Sequence, residues 1–265
     1  EVRLFYSIVL GIVQGITEFL PVSSSAHLII VSWLMSGQSL SLELNVAFHF
    51  GTLLAVLTYF SKDWLKILQG GFNKIRSGTD SVESRLLVHL ILGSIPVGVV
   101  GLLAKDFIEE KLHHPLYTVI PLILVGFLLW QADKKNARTK TITQMTLKDA
   151  LFIGLMQVCA LFPGVSRSGS TIFAARLRKM DRVEAARFSF LLGTPPTVAA
   201  SFLHMKDFLA NLGDIVFISG VVTSWLVGIV AIRFFIAFVA RFDFLFFFIY
   251  RTLLALVVLF LSLSV

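Results

Sequence analysis

The chain has 265 residues, 56% apolar and 15% charged, with a formal net charge of +7. A charged share this far below the quarter usual in soluble domains excludes an ordinary soluble fold and points to an integral membrane protein. The positive balance requires no nucleic-acid partner, since basic cytoplasmic loops account for it in a chain this apolar.

Taken in chain order, the first apolar stretch is 4–35, and the three residues ahead of it in the sequence do not resemble a cleavable leader. It is interrupted by Pro21 and by Ser23, Ser24 and Ser25. Uninterrupted apolar stretches follow at 44–60, 86–104, 116–130, 188–203, 215–235 and 244–265. Each is near the ~20 residues a helix needs to cross a bilayer, so six spans are expected. A second interrupted stretch, 151–177, is broken by Pro163, Gly164 and "SRSGS". The one cysteine, Cys159, excludes an intrachain disulfide and reads as a packing residue.

Lysine and arginine gather in three segments, Lys62 to Arg85, Lys134 to Lys148 and Arg176 to Arg187. Gln38 to Glu43 has no cation, Lys105 to Pro115 mixes signs, and His204 to Asp214 has one lysine. The first group is therefore expected on the cytoplasmic side and the second outside. A single crossing at 151–177 would put two strongly basic loops on opposite faces. Both interrupted stretches are accordingly expected to be re-entrant hairpins, whose irregular backbone is tolerated at membrane depth only where it is buried or lines a wet cavity.

The two breaks also resemble each other. "LGIVQGITEFLPVSSSAHLI" lies over "IGLMQVCALFPGVSRSGSTI" without a gap, pairing Gly11 with Gly154, Gln14 with Gln157, Ser23 with Ser166 and Ser25 with Ser168 at a constant offset of 143 residues. "FGTLLAV" from Phe50 and "LGTPPTV" from Leu192 echo one residue out of step. The pattern predicts a duplication within one domain, 1–265, with halves at about 1–135 and 149–265. Each half is one re-entrant helical hairpin plus three transmembrane helices. Three spans is an odd number, so the halves are expected to be inverted and the serine-rich breaks to meet near the midplane, each followed by a helix start that attracts anions.

Arg167 sits in the second break between apolar segments and suits a fork gripping phosphate, or a structural ion pair. Glu18 could hold a divalent cation, act as general base or pair with Arg167. His27 reads as an acid/base group or nucleophile, Ser23, Ser24 and Ser25 as phosphate contacts or helix caps, and Gln14 shares a helix face with Glu18. His49 and His89 are expected to pack, His113 and His114 to lie in an outer loop, and Arg251 to snorkel to the cytoplasmic edge.

Together, "QGITEFLPVSSSAH" and "PGVSRSGS" resemble the paired signatures of the undecaprenyl-diphosphatase family, bacterial membrane phosphatases associated with bacitracin resistance, and the likeness covers essentially the whole chain. The resemblance implies an all-α polytopic membrane protein with an inverted repeat that removes one phosphate from the C55 isoprenoid diphosphate, recycling the cell-wall carrier lipid in the bacterial inner membrane. By position it implies catalytic Ser24, His27, Glu18 and Arg167. Ser23, Ser25, Ser166, Arg167, Ser168 and Gly169 would hold phosphate, and Glu18 with Gln14 would hold Mg²⁺ or Ca²⁺. Gln14 is the neutral variant of its motif position, and Ala26 stands where a glycine is common. Ser24 is assigned as nucleophile with His27 as its base, attack by His27 or by water being the alternatives. The expected partners are the prenyl diphosphate, membrane lipids and a second copy in a homodimer, with the site opening outward. The rival reading is a transporter or flippase of an anionic prenyl-phosphate lipid.

Overall fold

The computed structural model describes residues 2–37, 40–104 and 115–263, and among them the protein is all helical, with twelve α-helices and no strand. The chain opens with a pair of short helices, α1 (Val2–Thr17) and α2 (Ser24–Ser36), followed by α3 (Leu42–Tyr59), α4 (Ser61–Ser77) and α5 (Val82–Leu103). After a 3₁₀ turn at Pro115–Thr118 come α6 (Val119–Lys135), a second short pair, α7 (Leu147–Val158) and α8 (Arg167–Leu177), and α9 (Arg182–Leu203). The small α10 (Met205–Ala210) leads to α11 (Ile215–Val239) and α12 (Leu245–Leu263). Most of the expected outer loop at Lys105–Pro115, with His113 and His114, lies outside the described residues, as do Gln38 and Ser39.

Short polar side chains set several helix starts by accepting orphan backbone N–H groups. Ser41 caps α3, Asp181 caps α9 and Asp214 caps α11. Ser81 with Ser84, and Thr146 with Asp149, form reciprocal capping boxes on α5 and α7.

Five helices are long and apolar enough to cross a bilayer: α3, α5, the segment Pro115–Lys135, α11 and α12. The protein is a polytopic, all-α membrane protein. The helix at the remaining expected span, α9, is 22 residues long but falls outside this group. It starts with Arg182, Glu184 and Arg187 and carries Gly193, Thr194, Pro195 and Pro196 at its middle. Pro196 cannot donate to the carbonyl one turn back, at Leu192, and the Ser94 hydroxyl of α5 donates to that oxygen at 3.3 Å.

The first basic segment, expected as a loop, is instead largely helix α4. The basic ends of α6 to α9 are held by two buried carboxylates. Asp133, completely shielded, takes Arg176 and Arg182, while Asp149 takes Lys140 at 2.7 Å and Arg178 at 2.6 Å. Burial pushes Asp149 upward, but the Lys140 ammonium, the Thr146 N–H and hydroxyl and Arg178 hold its carboxyl well below the usual carboxylate range.

Glycines let the layers close. Gly11 and Gly15 of α1 meet Thr223 and Val227 of α11, and Gly51 of α3 meets Ser224, leaving no room for a Cβ at Gly51. The largest core cluster runs from Phe19 through Phe60, Phe190, Phe235 and Phe244 to Phe247. It includes Phe19 and Val22 of the break between α1 and α2.

Candidate active site

Each short helix pair is separated by a break, residues 18–23 in the first and 159–166 in the second. The breaks share a backbone geometry. Ser23 has φ 72° and Ser166 φ 71°, a left-handed conformation that costs a non-glycine residue energy and is adopted among the described non-glycine residues only here and at Lys179. Both strained serines immediately precede a helix, α2 or α8, and both repeat one side-chain contact: Ser23 with Ser25 at 3.1 Å and Ser166 with Ser168 at 3.2 Å. Each break therefore ends on a helix start, α2 after Ser23 and α8 after Ser166.

Glu18 lies there, its side chain 10% exposed. Its Oε1 accepts from Arg167 Nη2 at 3.0 Å, and its Oε2 accepts from the Ser24 hydroxyl at 2.8 Å and from Gln14 Nε2 at 3.1 Å. The guanidinium of Arg167 lies across Gly193, where a Cβ would sit 1.1 Å from Nη1. This is the glycine of the second sequence echo, and its missing side chain makes room for the arginine. Arg167 Nη1 is buried and meets no acceptor among the described residues.

These groups open onto a cavity of about 390 Å³ lined by Glu18, Ser23, Ser24, Ser25, Ser166 and Arg167, and also by Asn45, His49 and Gln157. Its rim is formed by the start of α3, at Leu42, and the end of α9, at Ala200, Ser201 and His204. A buried cation beside hydroxyls and two helix starts can bind a polyanion. A hydroxyl already donating to a carboxylate can be deprotonated as it attacks.

Three expected site residues are placed differently. His27 turns from the cavity: its Nδ1–H donates to the Ser23 carbonyl at 2.8 Å, and its Nε2 accepts from the Tyr250 hydroxyl at 2.6 Å. The two rings lie parallel, 5.6 Å apart. Both imidazole nitrogens are engaged elsewhere, and the group that meets the Ser24 hydroxyl is Glu18. Ser168 is fully buried and donates to the Leu20 carbonyl at 3.0 Å, tying the second break to the first. The Gly169 N–H is taken by the Ser166 hydroxyl at 3.1 Å, so it caps α8 and does not face the cavity.

Other site groups were missed. His49, read as a packing residue, lines the cavity and accepts from Gln14 Nε2 at 3.3 Å. Gln157 is 1% exposed and lines the cavity, with both amide atoms unpartnered among the described residues. The repeat, which pairs it with Gln14, was the available signal. Arg251, expected to snorkel, is fully buried. It donates to the carbonyls of Leu122, Pro121, Pro21, Gly164 and Val165 at 2.7 to 3.2 Å, binding the backbone of both breaks.

A divalent cation needs oxygen donors. Glu18 supplies a carboxylate and Ser24 a hydroxyl, and the buried Gln14 Oε1 has no partner among the described residues. These are oxygen donors of the kind Mg²⁺ and Ca²⁺ take, with one carboxylate among them and no group of three His, Cys, Asp or Glu side chains together among the described residues.

The family model described as bacitracin resistance protein BacA matches residues 7–257. The chain is 45% identical over 259 residues to the undecaprenyl-diphosphatase of Desulforudis audaxviator, covering 98% of each chain. It is 42% identical to that of Gemmatimonas aurantiaca, with 96% of each chain covered. With that of Thermodesulfovibrio yellowstonii it shares 43% identity, over 97% of this chain and 96% of the relative.

Proposed function

This chain belongs to the bacitracin resistance protein BacA family, and on that premise we propose that it hydrolyses undecaprenyl diphosphate, the C55 isoprenoid diphosphate, to undecaprenyl phosphate and inorganic phosphate. The product is the carrier lipid in the form that cell-wall synthesis can reuse. The observation that carries the residue assignment is the one carboxylate, Glu18, shared between the Ser24 hydroxyl and Arg167.

Ser24 Oγ attacks the terminal phosphorus as its proton passes to Glu18. The bond from phosphorus to the bridging oxygen breaks, and undecaprenyl phosphate leaves with that oxygen, which takes up the proton from Glu18. Water then attacks the phosphoseryl phosphorus, giving a proton to Glu18; the bond from phosphorus to Ser24 Oγ breaks, Oγ takes that proton back from Glu18, and inorganic phosphate departs. Arg167 compensates the developing charge through the Nη1 that has no acceptor among the described residues, with Ser23, Ser25, Ser166 and the starts of α2 and α8 on the remaining phosphate oxygens. Gln157 donates to the same anion. His27 positions α2 by joining the Ser23 carbonyl to Tyr250. Gln14 and Glu18 would hold Mg²⁺ or Ca²⁺, which supplies further charge neutralisation on the diphosphate.

The architecture belonging to this reading is an inverted repeat with two re-entrant hairpins in one domain. Its support is the matched strain at Ser23 and Ser166. The short helices also support it: at ~1.5 Å per residue, α1, α2, α7 and α8 each fall short of a ~30 Å hydrocarbon core. The cavity rim lies at the end of α3 and of α9 remote from the basic segments, which favours a site opening to the outer face of the bacterial inner membrane. The carrier reading is not favoured, because a carrier has no use for a serine hydroxyl directed at a carboxylate.

Phosphate release by the purified protein given C55 diphosphate tests the reading. Release in the wild type and its loss in Ser24→Ala is the expected result. No release with intact folded protein would remove it.

A further inference from the structure

Helix α4 takes no part in the site. Its 17 residues include Lys62, Asp63, Lys66, Lys74 and Arg76, too many charges for a span. The helical period divides its surface into three strips. Ile67 and Gly71 are buried in the protein, Gly71 against Leu87 of α5. Leu65, Leu68, Phe72 and Ile75 form a second strip and are exposed at 60%, 55%, 60% and 89%. Beside it runs a third strip with Lys62, Lys66 and Arg76, exposed and without an ion-pair partner among the described residues.

Two contacts fix the attitude of the helix. Asp63 accepts from Arg187, in the second turn of α9, at 2.9 Å. Gly70 sits on Ser81, Glu83 and Ser84 at the start of α5. Ser94 of α5 meets Leu192 of α9 a similar distance along each helix, which sets the two starts at a common level. A helix held to both starts sits at the basic ends of these spans, beside the first turns of α5.

We infer that α4 is an in-plane helix docked on the lipid surface next to the basic segments. Its apolar strip enters the acyl region, and Lys62, Lys66 and Arg76 bind the phosphates of anionic lipids. The charge pattern selects this occupant over a second copy of the chain, which would bring cations of the same sign face to face. The inference is independent of the hydrolytic reading.

Phe72→Cys, Asn73→Cys and Ile75→Cys, made singly in Cys159→Ser protein because Cys159 is exposed, carry a nitroxide in vesicles of phosphatidylcholine with or without phosphatidylglycerol. Labels at 72 and 75 are expected to collide with oxygen in preference to a water-soluble nickel chelate, and the label at 73 to do the reverse. Phosphatidylglycerol draws the label at 72 deeper, and Lys62→Gln, Lys66→Gln and Arg76→Gln together abolish that shift, each cation contributing about fivefold in local affinity. These substitutions are on exposed side chains, and the phosphatidylcholine arm tests the apolar strip without them. Nickel access at 72 and 75 equal to that at 73 overturns the inference. So does dipolar broadening at 72, which would put a second copy on the strip, or a depth indifferent to phosphatidylglycerol.

Discussion

Glu18 and Arg167, 149 residues apart in the chain, meet at 3.0 Å. Glu18 opens the first break and Arg167 starts the helix that follows the second, and each answers the other's cost of burial. The pair is asymmetric: Arg167 spends one nitrogen on Glu18 and keeps Nη1 without an acceptor among the described residues. On the proposed reading, that nitrogen is the donor left for a phosphate.

That asymmetry makes Arg167→Lys informative. Lysine keeps the charge and can keep the contact with Glu18, but it loses the second tooth of the fork. Phosphate release is expected to fall by roughly 10²-fold or more, with thermal unfolding of the purified protein nearly unchanged. Activity within a few fold of wild type would show that charge alone suffices.

Ser24→Ala removes a hydroxyl whose hydrogen bond to the Glu18 carboxylate is worth about 1.5–3 kcal/mol to the fold. Loss of a nucleophile costs roughly 10²- to 10⁴-fold or more in rate, so kinetics and stability separate the two roles. Trapping of labelled phosphate on the wild type and not on Ser24→Ala is the direct check. Hydrolysis near wild type in Ser24→Ala would transfer the attack to water.

Much of this site was legible because its parts are residue types rarely placed in a membrane. Glu18, Ser24 and Arg167 stood out against apolar sequence, and the repeat said that their two segments correspond. The direction of His27 was not legible, since a three-residue step from Ser24 leaves the ring free to face either the cavity or α12, and the Tyr250 hydroxyl decides it. Arg251 was misread for a related reason: its partners are backbone carbonyls, which carry no residue signature. Helix α4 was hidden because its charges dominate its composition, while its apolar strip shows only at helical spacing.

His27 and Tyr250 can be tested as a pair. If the imidazole acts through Tyr250 to hold α2, Tyr250→Phe should lower kcat, and His27→Ala should cost little more when Tyr250 is already changed. Additive losses in the double variant would instead give His27 a role of its own in the reaction.

The donor set at Gln14 predicts a metal response. Phosphate release should stop in excess chelator and return with Mg²⁺ or Ca²⁺. Gln14→Glu should lower the cation concentration needed for half-maximal rate, since a carboxylate is a better ligand than an amide for hard cations. Full activity in chelator would remove the metal.

Arg251 offers the sharpest separation of architecture from chemistry. Its guanidinium meets five carbonyls, two in the second break at Gly164 and Val165, one in the first at Pro21, and two at the start of α6, at Pro121 and Leu122. Arg251→Leu strands the three break carbonyls in the core at about 1–3 kcal/mol each, those of Pro121 and Leu122 keeping the N–H groups of α6, a total comparable with the ~5–15 kcal/mol that stabilises a typical protein, so it should not yield folded protein. Arg251→Lys keeps the charge and a single ammonium that can reach some of the carbonyls, so it should fold with a lowered melting temperature. Its breaks are then less firmly joined, and the Ser24 to Arg167 geometry loosens although every group facing the cavity is intact. The expected signature is a fall in kcat with little change in KM, accompanied by faster hydrogen exchange at both break segments. Unchanged kcat together with faster exchange would show that the breaks need no clamp during turnover.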